Sequence, residues 1–299
     1  MDNHQQPNHE LKLPILQDRL RHNFVNLIMK KLRGNRLYRT HTRKKLASRY
    51  YASSKALIRQ WSKENTETSN FYYDLTDANS EDLISLFSLL LGIEKKQLRK
   101  YRQELYEDFI LREHVREFLA SRKETSDSVV GYGRRYGWYL AVRALKPQTV
   151  VETGVSHGVG ACLISQALMR NLNEGFPGRY IGIDIDPSSG SLFSGIYARL
   201  GQIIYGDSVE TLSNLKTRID IFINDSDHSE LYEAREYESI RDLLSEKSLI
   251  LGDNSHVTSC LSDFAEREKR PYVFFKEQPK SHWYPGAGIG ISPTKVPLL

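Results

Sequence analysis

The stretch VETGVSHGVG, Val151 to Gly160, decides the fold. It follows the β-branched run TVV and precedes ACLISQALMR, whose apolar residues recur at helical spacing. Glu152, Gly154, Gly158 and Gly160 therefore sit in a strand-to-helix turn, spaced E-x-G-x-x-x-G-x-G. Glycines there let the backbone turn tightly and approach a ligand with no Cβ in the way. A dinucleotide fingerprint would read G-x-G-x-x-G, with a helix N-terminus facing a pyrophosphate. Here the first position is a carboxylate, which repels phosphate and suits a cationic ligand.

Outward from this turn, short β-branched runs alternate with helical segments, the pattern of a parallel α/β sheet. The predicted strands are TVVE (149–152), YIGID (180–184), QIIYG (202–206), IDIFIN (219–224), SLILGD (248–253), YVFFKE (272–277) and GIGIS (288–292). Helices are expected between the first five, and the last two, joined by QPKSHWYPGA, form an antiparallel pair. Each of the first five strands ends in an acid: Glu152, Asp184, Asp207, Asp225 and Asp253. Ligands of open α/β sheets bind at the carboxyl ends of the strands. A single acid there often only caps the next helix, and Asp207 with Glu210 fits a capping box, but five in succession exceed what capping asks for.

Before Pro147 the texture is helical. Asn79-Ser80 predicts a helix start before EDLISLFSLLLG, with Gly92 as its stop. The stretch 94–122 supplies one long helix or two shorter ones, and the polar ENTETSNFYYDLTDANS (64–80) reads as a loop. The expected organisation is a basic helical arm over 1–60, a helical cap over 61–130 and a ligand-binding domain over 131–299.

At 299 residues, with 39% hydrophobic and 26% charged residues, the composition is that of a globular chain able to bury a large core. The longest apolar run, LISLFSLLLGI, falls short of the roughly 18 residues a membrane span requires, and the polar N-terminus lacks a secretory pattern, so a cytoplasmic location is expected. Cys162 and Cys260 lack metal-type spacing and read as small buried side chains. The net charge of +5 is uneven. Residues 1–60 hold 14 Lys/Arg against three acids, a balance of +11, whereas 151–299 hold 14 against 20, a balance of -6. The basic arm could meet a polyanion or an acidic partner; the simpler reading is a solvated helical face, and nucleic acid is not the expected partner.

A ligand carrying a sulfonium, an ammonium and a ribose diol but no phosphate fits the acidic strand ends, and S-adenosylmethionine (SAM) has all three. Asp184 is placed for the ribose hydroxyls, with Asp207 and Ser208 beside the adenine. VETGVSHGVG, IGIDIDP (181–187) and GDS (206–208), in that order, resemble the first three motifs of the class I SAM-dependent methyltransferases. The resemblance covers roughly residues 130–299 and implies a Rossmann-like, seven-stranded sheet in the order 3-2-1-4-5-7-6 with the last strand antiparallel. FINDSDH (222–228) and LGDN (251–254) further resemble elements of the macrocin and sugar O-methyltransferases and the catechol O-methyltransferase-like enzymes. Carried over, Asp225, Asp253 and Asn254 would ligate a divalent ion, and two carboxylates with an amide oxygen suit Mg²⁺. Asp227 is an alternative ligand. His228 matches a position where catechol-type relatives carry a base. Asn224 and Ser226 flanking Asp225 depart from the commoner pattern.

In the same family the connection holding His282, Trp283 and Tyr284 overhangs the acceptor. These residues are a substrate wall or a packed turn. Tyr132, Tyr136 and Tyr139, before the first strand, read as core. The expected function is Mg²⁺-assisted methylation of an oxygen of a small-molecule acceptor, in specialised metabolism, with the helical region as lid or homodimer surface. One alternative is a metal-independent N-, C- or carboxyl-methyltransferase acting on a carrier- or peptide-bound substrate; another is a SAM-binding nucleic-acid or partner-binding module.

Overall fold

The computed structural model describes residues 30–31, 34–63, 73–121, 130–253 and 255–295. Asn254 and most of the predicted 64–80 loop lie outside the described residues. The chain divides into two units, Met1–Ser62 and Lys63–Leu299. In the first, α1 (Arg36–Tyr50) starts at Asn35, whose side chain accepts from the Leu37 amide at 2.9 Å, and is followed by α2 (Ala52–Trp61). Neither helix has a buried residue; α1 is polar nearly all round, whereas α2 carries Leu57, Ile58 and Trp61.

The second unit opens with α3 (Asp77–Leu91), α4 (Lys95–Tyr106), α5 (Phe109–Ser121) and α6 (Tyr136–Leu145). Then come β1 (Thr149–Thr153), α7 (Val159–Asn173), β2 (Arg179–Asp184), β3 (Gly201–Tyr205), α8 (Ser208–Asn214), β4 (Ile219–Asn224), α9 (Glu230–Ile240), β5 (Leu244–Gly252), α10 (Cys260–Arg267), β6 (Val273–Lys276) and β7 (Gly288–Pro293). The strands form one sheet in the order β3-β2-β1-β4-β5-β7-β6, with β7 antiparallel to both neighbours and the other pairs parallel. This is the predicted architecture, with every predicted strand present.

The middles of the central strands are apolar because both faces are covered, and the period of two divides their residues between two cores. Val150, Ile221, Ile223, Leu249 and Leu251 face a layer containing α3 to α7. Val151, Phe222 and Ile250 face α8, α9 and α10. The helical segment before the sheet is thus continuous with one of its layers. Arg143 of α6, itself buried, fastens that layer: its guanidinium donates to Glu104 of α4 and to Glu174 after α7, both at 2.5 Å. Cys162 and Cys260 are free and buried, as predicted. Among the described residues no helix is long and apolar enough to cross a membrane.

Two local expectations differ from the structure, and a third is decided between its two alternatives. α3 begins at Asp77 under a Thr76 cap, not at Asn79-Ser80. Asn79 lies inside the helix because its side chain finds tertiary partners, donating to the Lys276 carbonyl at 3.0 Å and accepting from the Gln278 amide at 2.7 Å. The 94–122 stretch breaks into α4 and α5 at Asp108, whose carboxylate accepts from the Leu111 amide at 3.0 Å and from Arg170 at 2.8 Å. The β2–β3 connection holds no α-helix, only turns and one 3-10 turn at Tyr197–Leu200. Its DPSSGSLFSG sequence is too rich in Ser, Gly and Pro for a helix.

Candidate active site

Beyond the ends of the strands, single backbone bonds extend the ladder and hold the junctions in line. The Gly154 amide donates to the Ile183 carbonyl, Gly206 to Asp184 and Asp225 to Thr153, each at 2.9 Å, and Asp253 to Asn224 at 2.8 Å. All five predicted acids consequently meet along one edge. The β1–α7 turn presses against the next junction: a Cβ on Gly154 (φ 80°) would lie 1.9 Å from the Asp225 carbonyl oxygen, and one on Gly160 would strike Trp138 and Glu152. Gly158 takes the left-handed conformation at the start of α7 and leaves the helix without a side-chain cap.

Each carboxylate has a distinct environment. Asp184 accepts from the amides of Val155 and Ser156, at 2.9 and 3.0 Å, and so organises the glycine-rich turn. Asp207 caps α8 through the Glu210 amide at 2.9 Å, which lowers its pKa, and accepts from the Tyr232 hydroxyl at 3.0 Å. Glu152 is buried. Loss of water raises its pKa from 4.5 to about 8, and the hydrogen bond from the Tyr180 hydroxyl offsets that only in part. Burial, with Asp253 alongside, raises Asp225 strongly; Asp253 is the more deeply buried, yet the Arg134 guanidinium holds it low.

Two connected hollows lie over this edge. A cavity of about 460 Å³ is lined by Gly154, Ser156, Asp184, Asp207, Ser208, Asp225, Asp227 and Tyr232, among others. A hollow of about 30 Å³ opens beside it between Arg135, Glu152, His157, Gly160 and Asp225, with Ser156 and Asp225 common to both. His228 is exposed on the loop before α9 and lines neither.

His282, Trp283 and Tyr284 are brought to the same edge. The chain before α3 pairs with their loop through Thr76 N to Gln278 O at 2.9 Å and Lys280 N to Asp74 O at 2.7 Å. Tyr73 then packs on His282 and Tyr284, with ring centroids 5.2 and 5.9 Å apart. The Tyr73 hydroxyl donates to Glu277 at 2.6 Å and accepts from Arg134 at 3.2 Å, and Arg134 clasps Asp253. An aromatic wall is thereby tied to the acidic edge. Tyr132, Tyr136 and Tyr139 are buried core residues, as predicted.

Sequence reasoning missed Arg134, Arg135 and Glu236. Glu236 of α9 is buried and accepts from the side chains of Ser208, Asn224 and Ser226, the last at 2.7 Å, which joins the third and fourth junctions from beneath. Its signal was present: Glu233, Glu236, Tyr237 and Ile240 share one helical face, so two carboxylates stand on an apolar stripe. Arg134-Arg135 stands between Gly133 and Tyr136 with no such periodicity to mark it.

The expected ion does not fit this arrangement. Both Asp253 oxygens accept N–H groups from Arg134, and Arg135 lies 3.9 Å from Asp225. A divalent ion at Asp253 would have to displace a buried guanidinium. Among the described residues no group of three or more His, Cys, Asp or Glu side chains is arranged for a metal.

Residues 151–255 match a family model described as a methyltransferase domain. No curated protein matches the chain. Similar solved structures include the O-methyltransferase TomG of Streptomyces achromogenes, involved in tomaymycin synthesis and solved with SAM, at 15% identity, 72% of this chain, 96% of that one and a TM-score of 0.44. The SAH-bound methyltransferase PaMTH1 of Podospora anserina shows 15% identity over 67% of this chain and 96% of that one, with a TM-score of 0.45. An SAH complex of an O-methyltransferase from Bacillus cereus shows 14%, 66%, 99% and 0.43 for the same quantities. The matched methyltransferase domain thus lies on a sheet of the order β3-β2-β1-β4-β5-β7-β6, with its glycine-rich turn and strand-end acids gathered at one edge.

Proposed function

We propose that the protein transfers the methyl group of SAM to an oxygen of a small, planar acceptor of the specialised-metabolite kind. The observation that carries this reading is the cavity at Asp184, Asp207 and Asp225, with an aromatic wall of Tyr73, His282 and Tyr284 tied through Arg134 to Asp253 at the next strand end. Asp184 takes the ribose and Asp207 with Ser208 borders the adenine. Gly154, Gly158 and Gly160 give the ligand close access to the backbone. In the smaller hollow Glu152 faces the ammonium and Arg135 the carboxylate of the methionine moiety, two opposite charges for a zwitterion. The sulfonium methyl then points toward Asp225 and the wall.

In this reading Asp225, which lines both hollows, receives the acceptor's hydroxyl proton in its ionised form. Aligning the hydroxyl with the methyl group supplies the rest by proximity. His228, exposed and outside the cavity lining, acts as the base only if the loop before α9 closes on the acceptor.

The test is methyl transfer from isotopically labelled SAM to a panel of phenolic and sugar hydroxyl compounds, with calorimetry for SAM itself. A labelled methyl ether supports the reading. SAM binding with label only on nitrogen, carbon or a carboxylate would move the protein to a metal-independent class of acceptors, which the arginine clasp on Asp253 also accommodates.

A further inference from the structure

We infer that Arg134 is a built-in counter-ion that occupies the charge position a divalent cation would need at the fifth strand end, so that this enzyme binds no catalytic metal. The inference rests on the methyltransferase reading and concerns the electrostatics of its acceptor side.

Every hydrogen-bonding arm of Arg134 is committed. Nε donates to Asp253 Oδ1 at 2.5 Å and Nη2 to Asp253 Oδ2, a two-point fork. Nη1 donates to the Tyr73 hydroxyl and to Glu277 Oε1, both at 3.2 Å. The side chain is 11% exposed, and its partners Asp253 and Glu277 are 2% and 0% exposed.

The surroundings hold this arrangement in place. The Gly133 amide donates to the Tyr73 carbonyl at 2.6 Å, and a Cβ on Gly131 would stand 2.3 Å from the Tyr73 carbonyl carbon, so the backbone before Arg134 is seated on Tyr73. Glu277 accepts at 2.6 Å from both the Tyr73 hydroxyl and the Ala287 amide. Three segments distant in sequence thus converge on one guanidinium. A hard dication needs the same carboxylate oxygens at short range, and a guanidinium already bonded to them repels it. Removing Arg134 alone would leave Asp253 and Glu277 buried without compensation; removing it while neutralising Glu277 leaves the Asp225 and Asp253 carboxylates at adjacent strand ends as hard oxygen donors.

The experiment is a Mn²⁺ titration of the full-length protein with SAM present, followed by the free-ion paramagnetic resonance signal. It compares wild type, Asp225→Asn and the double variant Arg134→Met/Glu277→Gln, with SAM affinity measured by calorimetry for each. Wild type is expected to leave the free-ion signal unchanged and to lose no turnover in chelator, while the double variant takes up one Mn²⁺ per chain. Stoichiometric Mn²⁺ uptake by wild type that Asp225→Asn abolishes would overturn the inference. So would a double variant with wild-type circular dichroism and SAM affinity that takes up none. Failure of wild type to bind SAM would sink the functional reading instead, and is seen in the calorimetry alone.

Discussion

The carbonyl oxygen of Asp225 fills the place where a side chain at Gly154 would begin, 1.9 Å from an ideal Cβ. The β1 turn and the β4 junction are therefore in backbone contact beside the larger hollow, which both residues line. Gly154→Ala adds both this collision and a left-handed φ of 80°. The expected result is loss of more than about 2 kcal/mol of stability and at least a tenfold weaker SAM affinity, by chemical denaturation and calorimetry. Wild-type affinity in the variant would show that the turn is not the cofactor's seat.

Asp184 is expected to act on SAM twice, through the ribose and through the Val155 and Ser156 amides it holds. Hydrogen bonds to a charged group are each worth about 1.5–3 kcal/mol. Asp184→Ala should therefore raise the SAM dissociation constant by about 10- to 100-fold with the fold retained. A change below threefold removes Asp184 from the site.

Glu152 makes stability and cofactor binding depend on pH in opposite directions. Its folded pKa of about 8 exceeds the ordinary 4.5, so the SAM-free protein holds this proton more tightly than the unfolded chain. The contribution is full below about 4.5 and is lost as pH rises toward 8, amounting to a few kcal/mol in order of magnitude. A cationic ammonium favours the ionised form, so SAM affinity should rise over the same interval. Glu152→Gln should flatten both profiles; a SAM affinity that keeps its pH slope in this variant would assign the slope to another group.

Arg143 serves the helical layer. Arg143→Met leaves Glu104 and Glu174 without their shared cation, and Glu174 is 45% exposed and readily resolvated. The expected loss is about 3 kcal/mol, the lower end for a broken buried pair, visible as an earlier denaturation midpoint with SAM affinity little changed.

Every site residue described here lies between Tyr73 and Ala287, while α1 and α2 bury no side chain. A chain beginning at Lys63 is expected to bind SAM within twofold of the full protein. If the basic arm is needed, affinity will fall in the shortened chain. Salt-dependent RNA binding lost with the arm would instead favour the polyanion reading.

Much of this molecule is legible in the amino-acid order. The strand runs, the glycine-rich turn, the acid at each strand end and the antiparallel closing pair follow from a period of two, from glycine's tolerance of a left-handed backbone, and from chain order alone. Those are local properties, and local rules read them. Tertiary structure decided which charge meets which: that Arg134 clasps Asp253, 119 residues away, that Glu236 binds three side chains from two strand junctions, and that Asn79 serves inside a helix instead of starting one. A buried charge or amide is stable only beside a partner that compensates its lost water, and that partner is set by proximity in space. The acids at the sheet edge could be counted from the sequence, whereas whether a metal or an arginine answers them depended on the fold.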